Sequence, residues 1–418
     1  MATDLRDKLR QLGVTKGAAH IQPPAQPRRA RALESLLDGQ EIESSAGKAF
    51  VVEERYALDH AHGDTALRAF LEQPAHVAVP RSVACEPTLA NVDLSRCVFL
   101  DTETTGLAGG TGTLVFLVGL GSFDRDAFCI HQFFLRDPGQ EAAMLAALSE
   151  RMDDQQAIVT FNGRGFDLPL LQTRYTLARM RAAWLALPHL DLLLPARRVW
   201  RDRLISCALP SLEMRVLGVR RTQDDVPGYL IPPMYLDYLQ TGDAREMPRV
   251  LYHNRQDILS MVTLAARLGR MFADPLADDA LDPADLVSLG KWYDDLDLRS
   301  EAERAFRAAL ERELHSASRV TALTQLGWLL KRQDRREQAV VVWEQLAQAD
   351  AYNVTAHVEL AKHFEWRAGD LDRALAWTQA AQEIIAAWRP SHVRNQTRAE
   401  LAHRAQRLER KRRAKRKP

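Results

Sequence analysis

The chain has 418 residues, with 56 Lys and Arg against 55 Asp and Glu and a formal charge of +1. It is therefore not a polycation that would coat nucleic acid or an anionic membrane at random, and its length suits two or three domains with a sizeable core. Cys85, Cys97, Cys129 and Cys207 are scattered without a Cys-x-x-Cys pair, which speaks against a zinc site or disulfide framework; with no signal peptide and no apolar run near ~20 residues, a cytoplasmic protein without membrane contact is expected.

The charge is unevenly spread. From Arg398 to Pro418 there are ten Lys or Arg against Glu400 and Glu409, so the remainder is net acidic by seven. The segment 396–418 reads as a basic tail without aromatic residues for base stacking, disordered when free, whose attraction to RNA or DNA would be salt-sensitive and sequence-blind.

In chain order, residues 1–94 are weakly patterned. Met1–Leu12 suits a short amphipathic helix, Gln22–Arg29 an extended linker, Lys48–Tyr56 a strand and Asp64–Glu72 a short helix. This N-terminal region is read as partly extended or disordered, without an assigned role. From 95 to 275 the pattern alternates. Strands are expected at Cys97–Asp101, Leu114–Ser122 and Ala127–Leu135, a helix over Glu141–Met152, a buried strand at Ala157–Phe161, a helix from Leu168 to Leu185, a strand at His189–Leu193 and a long helix from Met247 to Met271. That order predicts an α/β domain, a mixed sheet flanked by helices.

From 282 to 388 the chain repeats. Gly290, Tyr293, Ala302, Phe306 and Ala309 are matched by Gly327, Leu330, Ala339, Trp343 and Leu346, and more loosely by Ala361, Phe364, Ala374, Thr378 and Ala381. Small residues at helix contacts with large ones between them, at this period, predict an all-α tetratricopeptide-like repeat domain.

The chemistry concentrates in three segments. Asp101 and Glu103 end an apolar run, and two residues one apart in a strand share a face about 6–7 Å from each other. Two anions so placed repel unless a cation lies between them, and hard divalent ions take oxygen ligands. The second segment is Phe161-Asn162-Gly163-Arg164-Gly165-Phe166-Asp167, which delivers Asp167 to a helix start, where an N-cap role is also open to it. In the third, His253 and Asp257 are four apart on the long helix and share one face. Imidazole beside a carboxylate can take a proton from water near neutral pH.

Taken together, these segments resemble the DEDD 3′–5′ exonucleases. With Gly106, Phe161–Leu171, Asp224–Gly228, His253–Leu259 and the following repeats, the chain looks more closely like the bacterial YprB-type proteins, with an RNase H-like domain and tetratricopeptide repeats. The resemblance implies that Asp101, Glu103, Asp167 and Asp257 hold two divalent ions, Mg²⁺ or Mn²⁺, for in-line hydrolysis of phosphodiester bonds in single-stranded RNA or DNA. Thr104, Gly106, Leu107, Asn162 and Phe166 would contact the substrate, and the repeats would dock a protein partner or guide the strand. In the family's histidine subtype the base stands five residues before the last Asp, where this chain has Tyr252. In its tyrosine subtype it stands four before, where this chain has His253. His253 is favoured as the base. The alternative is a non-catalytic nucleic-acid-binding or scaffold protein working through its repeats.

Three further features stay open at this level. Asp191 reads as a solvated strand end or an outer-sphere acid, Ala108–Gly112 as a flexible turn, and Arg197, Arg198, Arg201 and Arg203 as a solvated face or a phosphate track.

Overall fold

The computed structural model describes residues 30–73, 89, 91–106, 112–222, 224–277 and 281–415. The Met1–Leu12 and Gln22–Arg29 expectations, Cys85, Leu107 and most of the Ala108–Gly112 turn lie outside the described residues.

A seven-stranded sheet is built from β1 (Gly39–Ser44), β2 (Gly47–Ala57), β5 (Cys97–Thr104), β6 (Val115–Asp124), β7 (Ala127–Phe134), β8 (Ala157–Thr160) and β9 (His189–Asp191). A two-stranded ribbon, β3 (Ala61–His62) with β4 (Thr65–Ala66), stands apart. The sheet order is β1-β2-β7-β6-β5-β8-β9. All pairings are antiparallel as far as β5, and β8 and β9 are parallel, with Cys97 opposite Ala157 and Thr160 opposite Asp191. The N-terminal region thus contributes to the sheet, because Phe50, Val51 and Val52 are buried where β2 pairs with β7.

Helices α1 (Glu141–Met152), α2 (Asp167–Leu177), α3 (Leu193–Trp200), α4 (Ile231–Thr241) and α5 (Met247–Ala273) surround this sheet. The helix expected to reach Leu185 stops at Leu177; Arg179 then takes a left-handed φ of 56°, and only a short helical turn at Ala183–Ala186 follows. Instead of the helix expected over Asp64–Glu72, β4 and a single turn at Leu67–Phe70 are found.

Helix α5 lies close on the sheet because β6 carries glycine where it crosses. A Cβ on Gly119 would sit 2.5 Å from Ile258 Cδ1 and against the Asn254 amide, so only glycine leaves room for the helix. This contact carries the third chemical segment over the strand that holds the first.

Beyond α5 the chain forms antiparallel helices: α6 (Pro283–Asp295), α7 (Arg299–Glu311), α8 (Ser316–Arg332), α9 (Arg336–Ala349), α10 (Val354–Trp366), α11 (Leu371–Ala386) and α12 (His392–Lys415). A Cβ on Gly290 would lie 2.6 Å from the Phe306 ring, and one on Gly327 2.6 Å from the Trp343 ring. The same glycine-on-aromatic contact therefore recurs in successive helix pairs, as the sequence period requires. The apolar core runs without a break from the sheet, through Ile258 and Val262, into Leu286, Leu326 and Leu360.

The basic tail is not disordered over its described part. Leu401 and Leu408, seven residues apart, are buried on one stripe of α12, while Arg404, Arg407 and Lys411 converge on Glu365 of α10 at 2.8–2.9 Å. Composition hid this because the apolar stripe is only two leucines wide, and the buried acid that orders the cations lies on another helix.

Candidate active site

Along β5, Asp101 and Glu103 are half-buried while Thr102 and Thr104 are buried, so the two acids share the open face. Their carboxyls are pushed well above the ordinary range. For Asp101 the causes are burial and then the charges of Asp257, Glu103 and Asp167; for Glu103 they are burial, Asp257 and Asp167. Asp101 Oδ2 accepts a hydrogen bond from Asn254 Nδ2 at 2.8 Å. Glu103 has no hydrogen-bond partner among the described residues. Thr104 Oγ1 donates to the Gly106 carbonyl at 2.8 Å and so holds the turn that leaves the strand.

The second segment is held from below by Asp191. Its Oδ1 accepts from the backbone N–H of Asn162 (2.8 Å) and of Leu193 (3.0 Å), and its Oδ2 from that of Arg164 (3.1 Å). Asp191 is buried, not a solvated strand end, because three backbone donors need an acceptor where β8 and β9 finish side by side. Asn162 adopts a left-handed φ of 69° and Gly163 packs on Thr160, where a Cβ would come 2.6 Å from Thr160 Cβ. This turn delivers Phe166 and Asp167. Phe166, not Asp167, is the N-cap residue of α2; Asp167 is the first helical residue, is buried, accepts from Thr102 Oγ1 at 2.5 Å, and burial pushes its carboxyl up to about 6.

On α5, His253 Nδ1 lies 2.8 Å from Asp225 Oδ1 and its Nε2 3.9 Å from Asp257 Oδ2. Arg221 Nη1 also lies 3.2 Å from Nδ1, but the carboxylate is the nearer partner and can only accept, so Nδ1 is assigned as its donor and Nε2 as the acceptor. Tyr252 is engaged elsewhere: its hydroxyl accepts the Thr222 N–H, and Arg255 stacks on its ring at 5.3 Å.

Two residues that bind this arrangement together were not signalled by the sequence. Asn254 is fully buried between Asp101 and Gln132, whose Nε2 donates to Asn254 Oδ1 and to the Leu251 carbonyl, both at 2.8 Å. A polar residue within the apolar stripe of Val250, Leu251 and Ile258 was the available clue. Arg221, in an irregular segment, is ion-paired with Asp257 and donates to Glu213 at 2.6 and 2.8 Å. Burial opposes its charge, yet Asp257 and Glu213 hold it above its ordinary value. Glu213 in turn accepts from Ser260 Oγ at 2.6 Å, and Ser260 meets His62 Nε2 at 2.8 Å.

Acids from three distant segments thus stand within one another's fields. In their present positions no three His, Cys, Asp or Glu side chains among the described residues are gathered tightly enough to hold one ion. Asp101 is turned to Asn254, Asp167 to Thr102 and Asp257 to Arg221. A cation at this place has to compete with Arg221 for Asp257.

Asp101 and Asp257 line a cleft of about 690 Å³ that continues past Asn162 toward Arg197, Arg201 and Ile205. Among the described residues no helix is long and apolar enough to cross a membrane.

Residues 98–269 match the RNase_H superfamily. Over 359 residues the chain is 30% identical to the uncharacterized protein YprB of Bacillus subtilis (strain 168), covering 83% of this chain and 84% of that protein. Among solved structures, PcrH from Pseudomonas aeruginosa is similar at 19% identity, over 30% of this chain and 91% of that one, with a TM-score of 0.26. MamA is similar at 18% identity, over 41% and 95%, with a TM-score of 0.25. On the breadth of the shared sequence with YprB, the chain belongs to the YprB family, and its sheet domain is of the RNase H superfamily.

Proposed function

We propose that this protein is a metal-dependent nuclease, a DEDD-type exonuclease that hydrolyses single-stranded RNA or DNA from the 3′ end. The observation carrying this reading is the mutual electrostatic influence of Asp101, Glu103, Asp167 and Asp257 beside one open cleft. A surface that only bound a phosphate backbone would gain nothing from four negative charges at the contact.

The donor set fits hard divalent ions. It consists of carboxylate oxygens, and Glu103 is half-buried with no hydrogen-bond donor to it among the described residues. Asp101, Glu103, Asp167 and Asp257 would hold two ions, Mg²⁺ or Mn²⁺, which when bound lower the pKa of water and stabilise developing charge on the phosphate oxygens. Asp225 holds the His253 ring so that Nε2 is free to accept a proton from water. Asn254 fixes the orientation of Asp101, and the Thr104–Gly106 contact shapes the strand end. Asn162 and Phe166, at the turn beside the cleft, offer an amide and a ring to the terminal nucleotide. We read residues 95–275 as the nuclease domain and the helices of 282–388 as tetratricopeptide-like repeats that dock a protein partner or guide the strand.

The test is a 5′-labelled single strand incubated with purified protein and Mg²⁺ or Mn²⁺. Stepwise shortening from the 3′ end is expected, and Asp101→Asn should abolish it while binding persists. One observation favours a second reading, a nucleic-acid-binding domain without turnover: Arg221 already neutralises Asp257. Binding without degradation by either metal would establish that reading instead.

A further inference from the structure

The four arginines Arg197, Arg198, Arg201 and Arg203 divide into two pairs with different work. Arg198 is ion-paired with Asp295 and lies over the Trp292 ring at 5.5 Å, and Arg203 donates twice to buried Asp285 at 2.8 Å. Trp200 Nε1 also donates to Asp285, at 3.1 Å. These contacts fasten α3 to the first repeat helix, α6. Arg197 is exposed, and its side chain has no hydrogen bond or ion pair among the described residues. Arg201 is exposed and reaches only its neighbour Asp202, at 3.6 Å.

The unengaged pair lines the wall of the cleft that begins at Asp101 and Asp257. Both arginines also line a second depression of about 400 Å³ that extends to Ser288 and Lys291 of α6, where Lys291 is paired with Asp202 at 3.1 Å and Asp295 with Arg198. The two hollows share Arg197 and Arg201 in their linings, so these side chains stand between the acids and the first repeat helix. The acidic side calls for cations and the arginine side offers them. Arg197 and Arg201 are four apart on a helix, so they stand about 6 Å from each other on one face, comparable with successive phosphates of an extended strand. At the lip, Ile205 projects its whole side chain into water, at 109% relative exposure, a placement that apolar contact with a base would relieve.

We propose that Arg197, Arg201 and then Lys291 form the path for the phosphates of the single strand upstream of its 3′ end, carrying it from the acids onto the first repeat helix. This rests on the nuclease reading above. It assigns the single strand, not a peptide, to these hollows, because Arg197 and Arg201 present guanidinium forks suited to phosphate oxygens.

The experiment measures the affinity of the full chain for a short labelled single strand, as RNA and as DNA, across a salt series. The parent carries Asp101→Asn so that the strand survives, and the variant adds Arg197→Glu and Arg201→Glu. Affinity should fall at least about tenfold, and the slope of log affinity against log salt should flatten by about one to two. Arg197→Lys with Arg201→Lys should retain most of the binding. A control pair past the end of α2, exposed Arg179→Glu with Arg181→Glu, should shift affinity far less. An unchanged affinity and slope in the Arg197 and Arg201 pair, or an equal loss in the control pair, would overturn the path. Wild-type cleavage with normal turnover in Arg197→Glu/Arg201→Glu would overturn the path and leave the nuclease intact. A wild-type chain that neither binds nor cuts would remove the nuclease reading and the path together.

Discussion

Asn254 Nδ2 lies 2.8 Å from Asp101 Oδ2 and 3.3 Å from the Asp101 carbonyl, and through this amide the long helix and β5 hold each other's chemical groups in register. The amide also accepts from Gln132, so its removal costs buried Gln132 one of its two acceptors and leaves the half-buried Asp101 carboxylate without its donor. Asn254→Ala should lower unfolding free energy by about 2–4 kcal/mol, from an unmet hydrogen bond together with lost packing volume. Urea denaturation of the full chain checks this, and Gln132→Leu added to Asn254→Ala should recover part of the loss, because a buried amide short of one acceptor is then gone.

Arg221 presents a different balance. Glu213 is buried and burial pushes its carboxyl up, with Arg221 as its chief counter-charge. Arg221→Met should destabilise the fold by about 3–5 kcal/mol by stranding that acid, whereas Arg221→Met with Glu213→Gln should cost much less than the sum of the single changes. A double-mutant cycle in denaturant reads the coupling. On the nuclease reading, the double variant should also bind Mn²⁺ more tightly than wild type, since Asp257 no longer faces a competing cation; titration calorimetry measures it.

His62 and His131 are buried, and burial pulls both down to about 4. The unfolded chain binds protons at its ordinary value near 6.5 while the folded one stays neutral, so the stability these groups support is complete above pH 6.5 and is lost as pH falls toward 4. The ceiling is about 3 kcal/mol for each. Melting temperatures taken from pH 7 to pH 5 should therefore decline less steeply in His62→Gln than in wild type. An identical decline would contradict this.

Glu365 takes three cations of α12. Burial alone would raise its carboxyl, but Arg407 and Lys411 outweigh that and hold it near about 2. Glu365→Gln should loosen α12 before anything else, at about 1–3 kcal/mol. Hydrogen exchange should rise over 392–415 while β5 and β6 stay protected.

The parts of the fold legible in the sequence were those with strong local periodicity. Helix α1 begins and ends where its apolar spacing does, and β7, β8 and α5 differ from expectation by a residue or two at an end. Asp191, Asn254 and Arg221 were illegible for a common reason: each acts on a segment far away in the chain, and a single acid, amide or guanidinium carries no pattern of its own. Leu177 was passed over as a helix end for want of a glycine or proline there. The tail's order likewise depends on Glu365, which nothing near it in sequence announces.

The glycine at position 119 has a lasting effect on how this architecture can vary. The side chains of Asn254 and Ile258 rest directly on bare main chain there, with no room for even a methyl group between. The separation of the acids on strand and helix is thereby set by two buried helix side chains lying on a glycine. The wall formed by α3 carries no such constraint, and related chains are free to reshape what they admit by exchanging residues on that wall while the machinery opposite keeps its dimensions.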